Sequence, residues 1–162
     1  MKEIESDNYS IWIGQDSLSK LDVSKYSKIG ILVDENTKEF CLPLVSEIKK
    51  SIIIEIKSGE ENKNIDSCNL IWEALSKNSF DRNSLLINLG GGVIGDMGGF
   101  CASTYKRGID FIQIPTSLLA MVDASVGGKL GIDFNGLKNQ VGLFSNPKLV
   151  IINPKFLETL PE

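Results

Sequence analysis

Hydrophobic residues fall into short continuous runs that alternate with stretches of helical spacing. The continuous runs predict buried strands at residues 10–13, 28–33, 52–56, 84–89, 111–114 and 149–152. Apolar positions three or four residues apart predict helices at residues 37–50, 62–76, 93–103, 116–122 and 154–160. Strands that alternate with helices favour parallel pairing, so the pattern predicts one α/β domain over residues 1–162, with a Rossmann-like, mostly parallel sheet and helices on both faces.

Particular residues refine three of these segments. Pro43 lies inside the helix predicted at 37–50 and either begins or kinks it, because proline has no backbone N–H and crowds the preceding turn. Thr116 or Ser117 is a natural N-cap for the helix that they begin. The polar, glycine-containing segment 127–142 is compatible with a small hairpin.

Composition excludes several classes of function. The chain has 17 Lys and Arg residues against 21 Asp and Glu residues, and a net charge of −4 provides no basic field for nucleic acid. Residues 1–20 lack the apolar core of a signal peptide, and the apolar stretch 111–126 is too polar and too short to span a bilayer. We therefore expect a cytoplasmic protein with neither a nucleic-acid nor a membrane partner.

Metal-ligating residue types are scarce. The chain has no histidine, which removes the commonest metal ligand and general base. Its three cysteines, Cys41, Cys68 and Cys101, show no C-x-x-C spacing, and free thiols in a reducing compartment are expected. A tight zinc site within this chain is not expected.

Distinctive polar and glycine residues follow three of the predicted strands. The triplets are residues 34–36 (DEN), 90–92 (GGG) and 115–117 (PTS). Because ligands of open α/β sheets bind beyond the carboxyl ends of the strands, these triplets are expected to converge on one site.

Residues 90–95 (GGGVIG) fit the G-x-G-x-x-G pattern between a strand and a helix. Glycines there let the backbone approach a pyrophosphate, whose charge then meets a helix N-terminus. The pattern follows the third core strand rather than the first, so an ordinary Rossmann site is not indicated. Tight packing of the helix on the sheet explains the glycines equally well.

Charged residues near these strand ends also have two interpretations. Asp34 could accept hydrogen bonds from ribose hydroxyls or could cap a helix. Asp96 lies in the first helical turn after the glycines, where the macrodipole favours a carboxylate. Residues 58–63 form a ligand loop or a solvated connection. Polar residues among later glycines either bind an anionic substrate or form ordinary surface: Arg107, Asp123, Lys129, Lys138 and Asn139.

Several ordered motifs carry a family resemblance. They read LGGGVIGDMGGFCASTYKRG from residue 89, IQIPTSLLAMVDASVGGK from residue 112, then KNQVGLF and FLETLP. Together they closely resemble the 3-dehydroquinate synthase family, over about residues 30–162 and most densely from 84 to 162. The resemblance implies an α/β domain that binds NAD, whereas the family's helical, metal-binding C-terminal domain is absent from this chain.

The resemblance also assigns roles to individual residues. Matches to the family's NAD-binding positions are Asp34, Asn36, Glu60, Lys63, Gly91, Gly92, Val93, Asp96, Thr116, Ser117, Lys138, Phe156, Leu157, Glu158 and Thr159. Matches to its substrate-binding positions are Arg107, Asp123, Lys129 and Asn139. In the family the arginine reaches the substrate across a dimer interface, so the resemblance implies a homodimer.

The implied reaction converts a phosphorylated sugar acid, 3-deoxy-D-arabino-heptulosonate 7-phosphate, to 3-dehydroquinate and phosphate in the shikimate pathway. NAD acts as a recycled catalyst, and a zinc or cobalt ion serves as Lewis acid. One glutamate and two histidines of the C-terminal domain hold that metal in the family. This chain has no histidine, so we expect that it neither ligates the metal nor turns over alone.

Alternative functions remain open. A related sugar-phosphate cyclase or a non-catalytic nucleotide-binding module would share many of these residues. An NAD-dependent polyol dehydrogenase is disfavoured by residues 106–108 (KRG) and 122–129 (VDASVGGK). Two departures from the family pattern are Leu130, where threonine is usual, and Leu137, where glycine is usual before Lys138.

Overall fold

The computed structural model describes residues 1–6, 8–45, 48 and 50–160, and its centre is one seven-stranded sheet. The strands of the chain are β1 (Lys2–Ser6), β2 (Tyr9–Ile13), β3 (Ile29–Asp34), β4 (Ile52–Ile56), β5 (Leu85–Gly90), β6 (Asp110–Pro115), β7 (Lys129–Phe134), β8 (Leu137–Phe144) and β9 (Leu149–Ile152). The order in the sheet is β1-β2-β9-β6-β5-β3-β4, while β7 and β8 form a separate hairpin. All neighbours in the large sheet are parallel except β1 and β2, which confirms the predicted α/β class.

The predicted core strands occur within one or two residues of their expected bounds. β5 is buried along its whole length, as expected of a parallel strand that is covered on both faces. β1 was not predicted, because all five of its side chains are exposed and only backbone pairing with β2 makes it a strand.

Three α-helices are found among the described residues: α1 (Glu35–Phe40), α2 (Ile65–Lys77) and α3 (Gly92–Thr104). α2, α3 and the hairpin cover one face of the sheet with a continuous apolar core. The other face is covered by α1 and by short turns, including the 3₁₀ helix Pro154–Thr159. No described helix has both the length and the apolar character needed to cross a membrane.

The prediction of a helix at residues 37–50 is wrong in its extent. α1 begins earlier and ends at Phe40, and a 3₁₀ turn, Leu42–Val45, follows it. Pro43 explains the break, because it cannot donate to the carbonyl four residues earlier and its ring crowds that turn. Positions 46, 47 and 49 of the prediction lie outside the described residues.

The segment after β6 is helical as predicted, but its last part has the wider winding of a π-helix. Ser117 Oγ accepts a hydrogen bond from the Ala120 N–H at 3.4 Å, which supports the predicted N-cap. The backbone then forms a π-helical turn, Ala120–Ala124, and so continues beyond the predicted end at 122. Such turns often occur at functional sites, and this one carries Asp123.

The hairpin expected within 127–142 is formed by β7 and β8. Asn135 and Gly136 occupy its turn with φ of 50° and 75°, the conformation of a type I′ hairpin turn. Leu130, one of the two departures from the family pattern, is buried against Gly99 of α3, so it anchors the hairpin to the helix.

Candidate functional site

The glycine turn between β5 and α3 contains two kinds of glycine. An added Cβ at Gly90 would lie 2.6 Å from atoms of Ile94, so this glycine is required for packing. At Gly91 the nearest atom would be Ser117 Oγ at 3.6 Å, and at Gly92 it would be Ala124 Cβ at 3.5 Å. Gly90 therefore supports the packing interpretation, whereas a Cβ at Gly91 or Gly92 would make only ordinary van der Waals contact at the N-terminus of α3, where an anion is favoured.

Further along α3, glycines bring the helix close to the sheet. A side chain at Gly98 would collide with Asn88 of β5, and Gln113 Nε2 of β6 donates to the Gly95 carbonyl at 3.0 Å. The amide nitrogen and oxygen of Asn88 have no hydrogen-bond partner among the described residues, although the side chain is buried. This close packing of α3 on the sheet fixes the position of the glycine turn relative to the carboxyl edge of the sheet.

Lys63 joins a predicted cofactor residue to a predicted substrate residue. Its side chain is only 5% exposed, and its Nζ donates to Asp96 Oδ2 at 2.6 Å and to Asn139 Oδ1 at 2.7 Å. A buried ammonium requires such partners, because an unpaired charge in the interior is strongly destabilising. The alternative that residues 58–63 are merely a solvated connection therefore fails at Lys63.

Asp96 lies at the junction of the glycine turn and a cleft beside the hairpin. Burial raises its pKa, the hydrogen bond and charge of Lys63 act in the opposite direction, and the charges of Glu60 and Asp123 raise it again. Lys63 is thus the nearby cation that favours the ionised carboxylate.

The cleft has a volume of about 510 Å³ and combines charged with apolar walls. Asp96 and three of the four predicted substrate residues, Asp123, Lys129 and Asn139, line it. The fourth, Arg107, instead lines a separate depression of about 320 Å³ with Ser145 and Asn146. The structure of a single chain therefore does not bring Arg107 to the cleft.

Asp34 is the N-cap of α1, which confirms the capping interpretation, and the side-chain cap contacts use only one of its two carboxylate oxygens, Oδ1. Its Oδ1 accepts from the Thr37 N–H at 2.7 Å, and Thr37 Oγ1 accepts from the Asp34 N–H at 2.9 Å. Asn36 is exposed in the first turn of the same helix. Both stand at the carboxyl end of β3, as the pattern predicted.

Glu35, the middle residue of the 34–36 triplet, had no role predicted for it, but it links this strand end to the segment after β4. It accepts from Ser58 N at 3.0 Å and from Ser58 Oγ at 2.6 Å, and these hydrogen bonds lower the pKa of Glu35. Beyond Ser58, Glu60 Oε1 lies 3.5 Å from Lys138 Nζ on the hairpin. An ion pair therefore joins Glu60, a predicted cofactor residue of the segment 58–63, to Lys138, a predicted cofactor residue of the hairpin.

A buried thiol connects another group of predicted cofactor residues. Cys41 Sγ lies 3.4 Å from Thr159 Oγ1, and burial raises the pKa of Cys41. Phe156 is fully buried in the core, so its side chain has a packing role. Val93 and Leu157 are half-buried, and Glu158 is exposed.

Within the described residues, no group of three or more His, Cys, Asp and Glu side chains could hold a metal ion. Asp96 and Asp123 contribute carboxylates to the cleft, but Lys63 already pairs with Asp96. The donor set of the residues that the structure describes therefore does not fit a zinc or cobalt site.

Comparison with known proteins identifies relatives over most of the chain. The chain is 56% identical over 149 residues to a 3-dehydroquinate synthase of Parabacteroides distasonis, which covers 90% of this chain and 41% of the relative. It is 46% identical over 168 residues to a bifunctional 3-dehydroquinate synthase/phosphatase of Fusobacterium nucleatum, covering 100% of this chain and 25% of the relative. The chain thus spans less than half the length of these relatives.

A solved structure shares the fold at lower identity. A 2-deoxy-scyllo-inosose synthase complexed with carbaglucose-6-phosphate, NAD⁺ and Co²⁺ matches with a TM-score of 0.87 and 23% identity, over 96% of this chain and 46% of that one. At this identity the match establishes the fold alone. The family model described as 3-dehydroquinate synthase N-terminal matches residues 53–162. The chain therefore belongs to the 3-dehydroquinate synthase family, and the matched part is the N-terminal region.

Proposed function

We propose that this chain is the NAD-binding domain of a 3-dehydroquinate synthase and that residues 1–162 form that single domain. The observation that carries the proposal is that packing does not require glycine at positions 91 and 92, at the N-terminus of α3, the helix that also carries Asp96 with its partner Lys63. A cofactor pyrophosphate fits this turn because backbone N–H groups at a helix N-terminus favour an anion. The solved neighbour with NAD⁺ bound supports the choice of cofactor.

The proposed cofactor residues come from several segments of the chain. Asp34, Asn36 and Glu60 at the ends of β3 and β4 would hold the ribose through carboxylate and amide oxygens. Thr116 and Ser117, which follow β6, border the turn: the Thr116 N–H donates to the Gly90 carbonyl at 3.0 Å, and Ser117 Oγ would lie 3.6 Å from a Cβ at Gly91. Thr159 lies on the last 3₁₀ helix. The bound cofactor would supply reversible hydride transfer. The remaining proposed contacts are Lys63, Val93, Asp96, Lys138, Phe156, Leu157 and Glu158.

The proposed substrate is 3-deoxy-D-arabino-heptulosonate 7-phosphate, which carries a carboxylate and a phosphate. Lys129 supplies a cation at the cleft, Asn139 offers an amide and Asp123 a carboxylate for the sugar hydroxyls. Lys63 fixes Asn139 beside Asp96, so the cofactor and substrate contacts share one rigid group. Arg107 lies apart from the cleft, which is consistent with action across a homodimer interface.

Exposed apolar side chains beside the cleft support a second domain over this surface. Val126 and Phe144 line the cleft, and Phe144 is 81% exposed. Contiguous apolar surface of this kind often marks an interaction site. We propose that the remaining length of the relatives covers it and supplies the metal ligands, so that the present chain alone is inactive. Other exposed apolar residues nearby are Leu118, Leu119 and Val122.

The three buried, free cysteines and the net charge of −4 support a cytoplasmic location without nucleic-acid partners.

Cofactor binding is tested by calorimetric titration of the 162-residue chain with NAD⁺ against Gly91→Ala and Gly90→Ala variants. Gly91 has φ of −74°, which alanine adopts without strain, so its methyl group only fills the ligand space. We expect Gly91→Ala to keep the melting temperature and to lose NAD⁺ affinity by about tenfold or more. Gly90→Ala should instead lower the melting temperature. Wild-type chain that binds no NAD⁺ at millimolar concentration would contradict the proposal.

The reaction itself is tested in a chimaera of this chain with the C-terminal half of the Parabacteroides relative. Release of phosphate from the heptulosonate phosphate by the chimaera, but not by the chain alone, is the expected result. Consumption of glucose 6-phosphate instead would favour a related sugar-phosphate cyclase, the alternative that the fold match to the inosose synthase supports.

A further inference from the structure

An irregularity in the β7–β8 hairpin lies next to the site. Ile132 pairs with Val141 and Phe134 pairs with Leu137, so Asp133 alone on β7 faces residues 138–140 on β8. The ladder is interrupted there, and the segment that bulges out carries both Lys138 and Asn139. Bulges of this kind re-aim side chains near functional sites and are often built for that purpose.

Asp133 uses the interruption to bond in two directions. Its backbone N–H donates to the Lys63 carbonyl at 2.9 Å instead of bonding across the hairpin. Its Oδ1 accepts from the Asn139 N–H at 2.8 Å. Asn139 has a left-handed φ of 53°, which is uncommon outside glycine and requires support from its neighbours. The Asp133 carboxylate supplies that support.

These contacts close a ring of three residues. Asp133 bonds to the backbone of both Asn139 and Lys63. The side chains of Asn139 and Lys63 bond to each other, because Lys63 Nζ donates to Asn139 Oδ1 at 2.7 Å. Lys63 also reaches Asp96 Oδ2 at 2.6 Å, and Asp96 and Asn139 line the cleft. Asp133 itself is not among the residues that line the cleft.

We propose that Asp133 is a positioning residue that sets Asn139 and Lys63 in their places at the cofactor and substrate cleft. The inference rests on the proposed NAD⁺ site and adds a residue that acts on it from behind. What matters is an oxygen acceptor for the Asn139 N–H, not the negative charge. An asparagine at position 133 therefore retains the function, and an alanine loses it.

The test compares Asp133→Ala with Asp133→Asn in the 162-residue chain, by NAD⁺ calorimetry and by the ¹⁵N–¹H spectrum of the Asn139 amide. Loss of one hydrogen bond of this kind corresponds to about a five- to tenfold weaker NAD⁺ affinity in Asp133→Ala. Asp133→Asn should stay within about twofold of wild type, since its amide oxygen still accepts. The Asn139 amide should move upfield in Asp133→Ala only.

Further variants separate positioning from simple loss of stability. Asn139→Gly removes the side chain but tolerates the left-handed φ, so it should weaken NAD⁺ binding as Asp133→Ala does. The double variant Asp133→Ala/Asn139→Gly should lose no more NAD⁺ affinity than Asn139→Gly alone. Asp22→Ala is a matched control, because Asp22 Oδ1 likewise accepts a backbone N–H, from Ser24 at 2.9 Å, away from the cleft. If Asp133→Ala is unfolded, Asp133→Leu replaces it, with the same branching at Cγ, a larger side chain and no acceptor.

The outcomes distinguish this inference from the proposed function. A wild-type chain without NAD⁺ affinity overturns the proposed function and the inference together. A binding-competent wild type with unchanged affinity in Asp133→Ala, or with an Asn139 amide that does not move, overturns the inference alone. Equal losses in Asp133→Ala and Asp133→Asn overturn the claim that the acceptor oxygen is what positions Asn139.

Discussion

Replacement of Lys63 by methionine tests the physical basis of the site most directly. The change keeps an unbranched apolar stem and removes the ammonium group. In the wild type that group contacts Asp96 Oδ2 at 2.6 Å and Asn139 Oδ1 at 2.7 Å, with the lysine side chain 5% exposed. The variant leaves the Asp96 carboxylate without its partner in a place that water reaches poorly.

The expected loss follows from those two contacts. Hydrogen bonds to charged groups contribute about 1.5–3 kcal/mol each, and removal of one partner adds the desolvation of the other. Asp96 retains 20% of its side-chain exposure, so water recovers part of that loss. We therefore expect Lys63→Met to lower the free energy of unfolding by about 2–4 kcal/mol and the melting temperature by roughly 4–16 °C.

Thermal and urea unfolding followed by circular dichroism at neutral pH provide the measurement. Lys77→Met is the matched control, because Lys77 pairs with Glu73 at 3.4 Å while both side chains are more than half exposed, at 76% and 62%. That variant should change the free energy of unfolding by about 0.5 kcal/mol or less. The double variant Lys63→Met/Asp96→Asn removes both charges and should be more stable than Lys63→Met alone.

The pH dependence supplies a sign that can be checked. Burial raises the pKa of Asp96 and Lys63 opposes that rise, so the carboxylate in Lys63→Met should protonate at a higher pH than in the wild type. Protonation relieves the unpaired charge. The stability difference between wild type and variant should therefore narrow as the pH falls from neutral to about 4. A difference that widens, or a loss at neutral pH no larger than that of Lys77→Met, would refute the reasoning.

Two further predictions concern packing and thiol reactivity. Gly98→Ala places a methyl group against Asn88 and Leu32, so unfolding measurements should show a loss of about 1–3 kcal/mol or more, whereas Gly92→Ala, with 3.5 Å to its nearest neighbour, should be nearly neutral for stability. Burial raises the pKa values of Cys41 and Cys101, so both thiols should resist a disulfide reagent at pH 8 in the native chain and react on unfolding; rapid reaction of either one in the folded protein would contradict the structure.

Local pattern was enough to predict the strands and the glycine turn. β9 matches its predicted range, because a continuous apolar run that is bounded by polar residues has few other ways to be buried. The triplet at 90–92 was placed at a strand end for the same reason. The Asn-Gly pair at 135–136 is a further local signal for the hairpin turn.

The existence of β1 was decided by tertiary structure, whereas the end of α1 follows from Pro43, a local signal that the spacing of apolar residues did not reflect. Helical spacing continues past Pro43 along the chain, but the helix ends at Phe40. The strand β1 has no buried side chain, so no apolar pattern marks it, and its pairing with β2 is a property of the sheet edge.

Similarity to a family assigned residues to the site but could not say how they meet. Lys63 and Asn139 are 76 positions apart, and their 2.7 Å contact depends on how the hairpin packs over α3. Arg107 was grouped with Lys129 from the sequence, whereas the two residues line different cavities. The sequence by itself determined which segments are strands and helices, because that depends on the spacing of neighbouring side chains. Only the tertiary structure decided that Asp133 supports the site, because a bulge depends on the register between two strands.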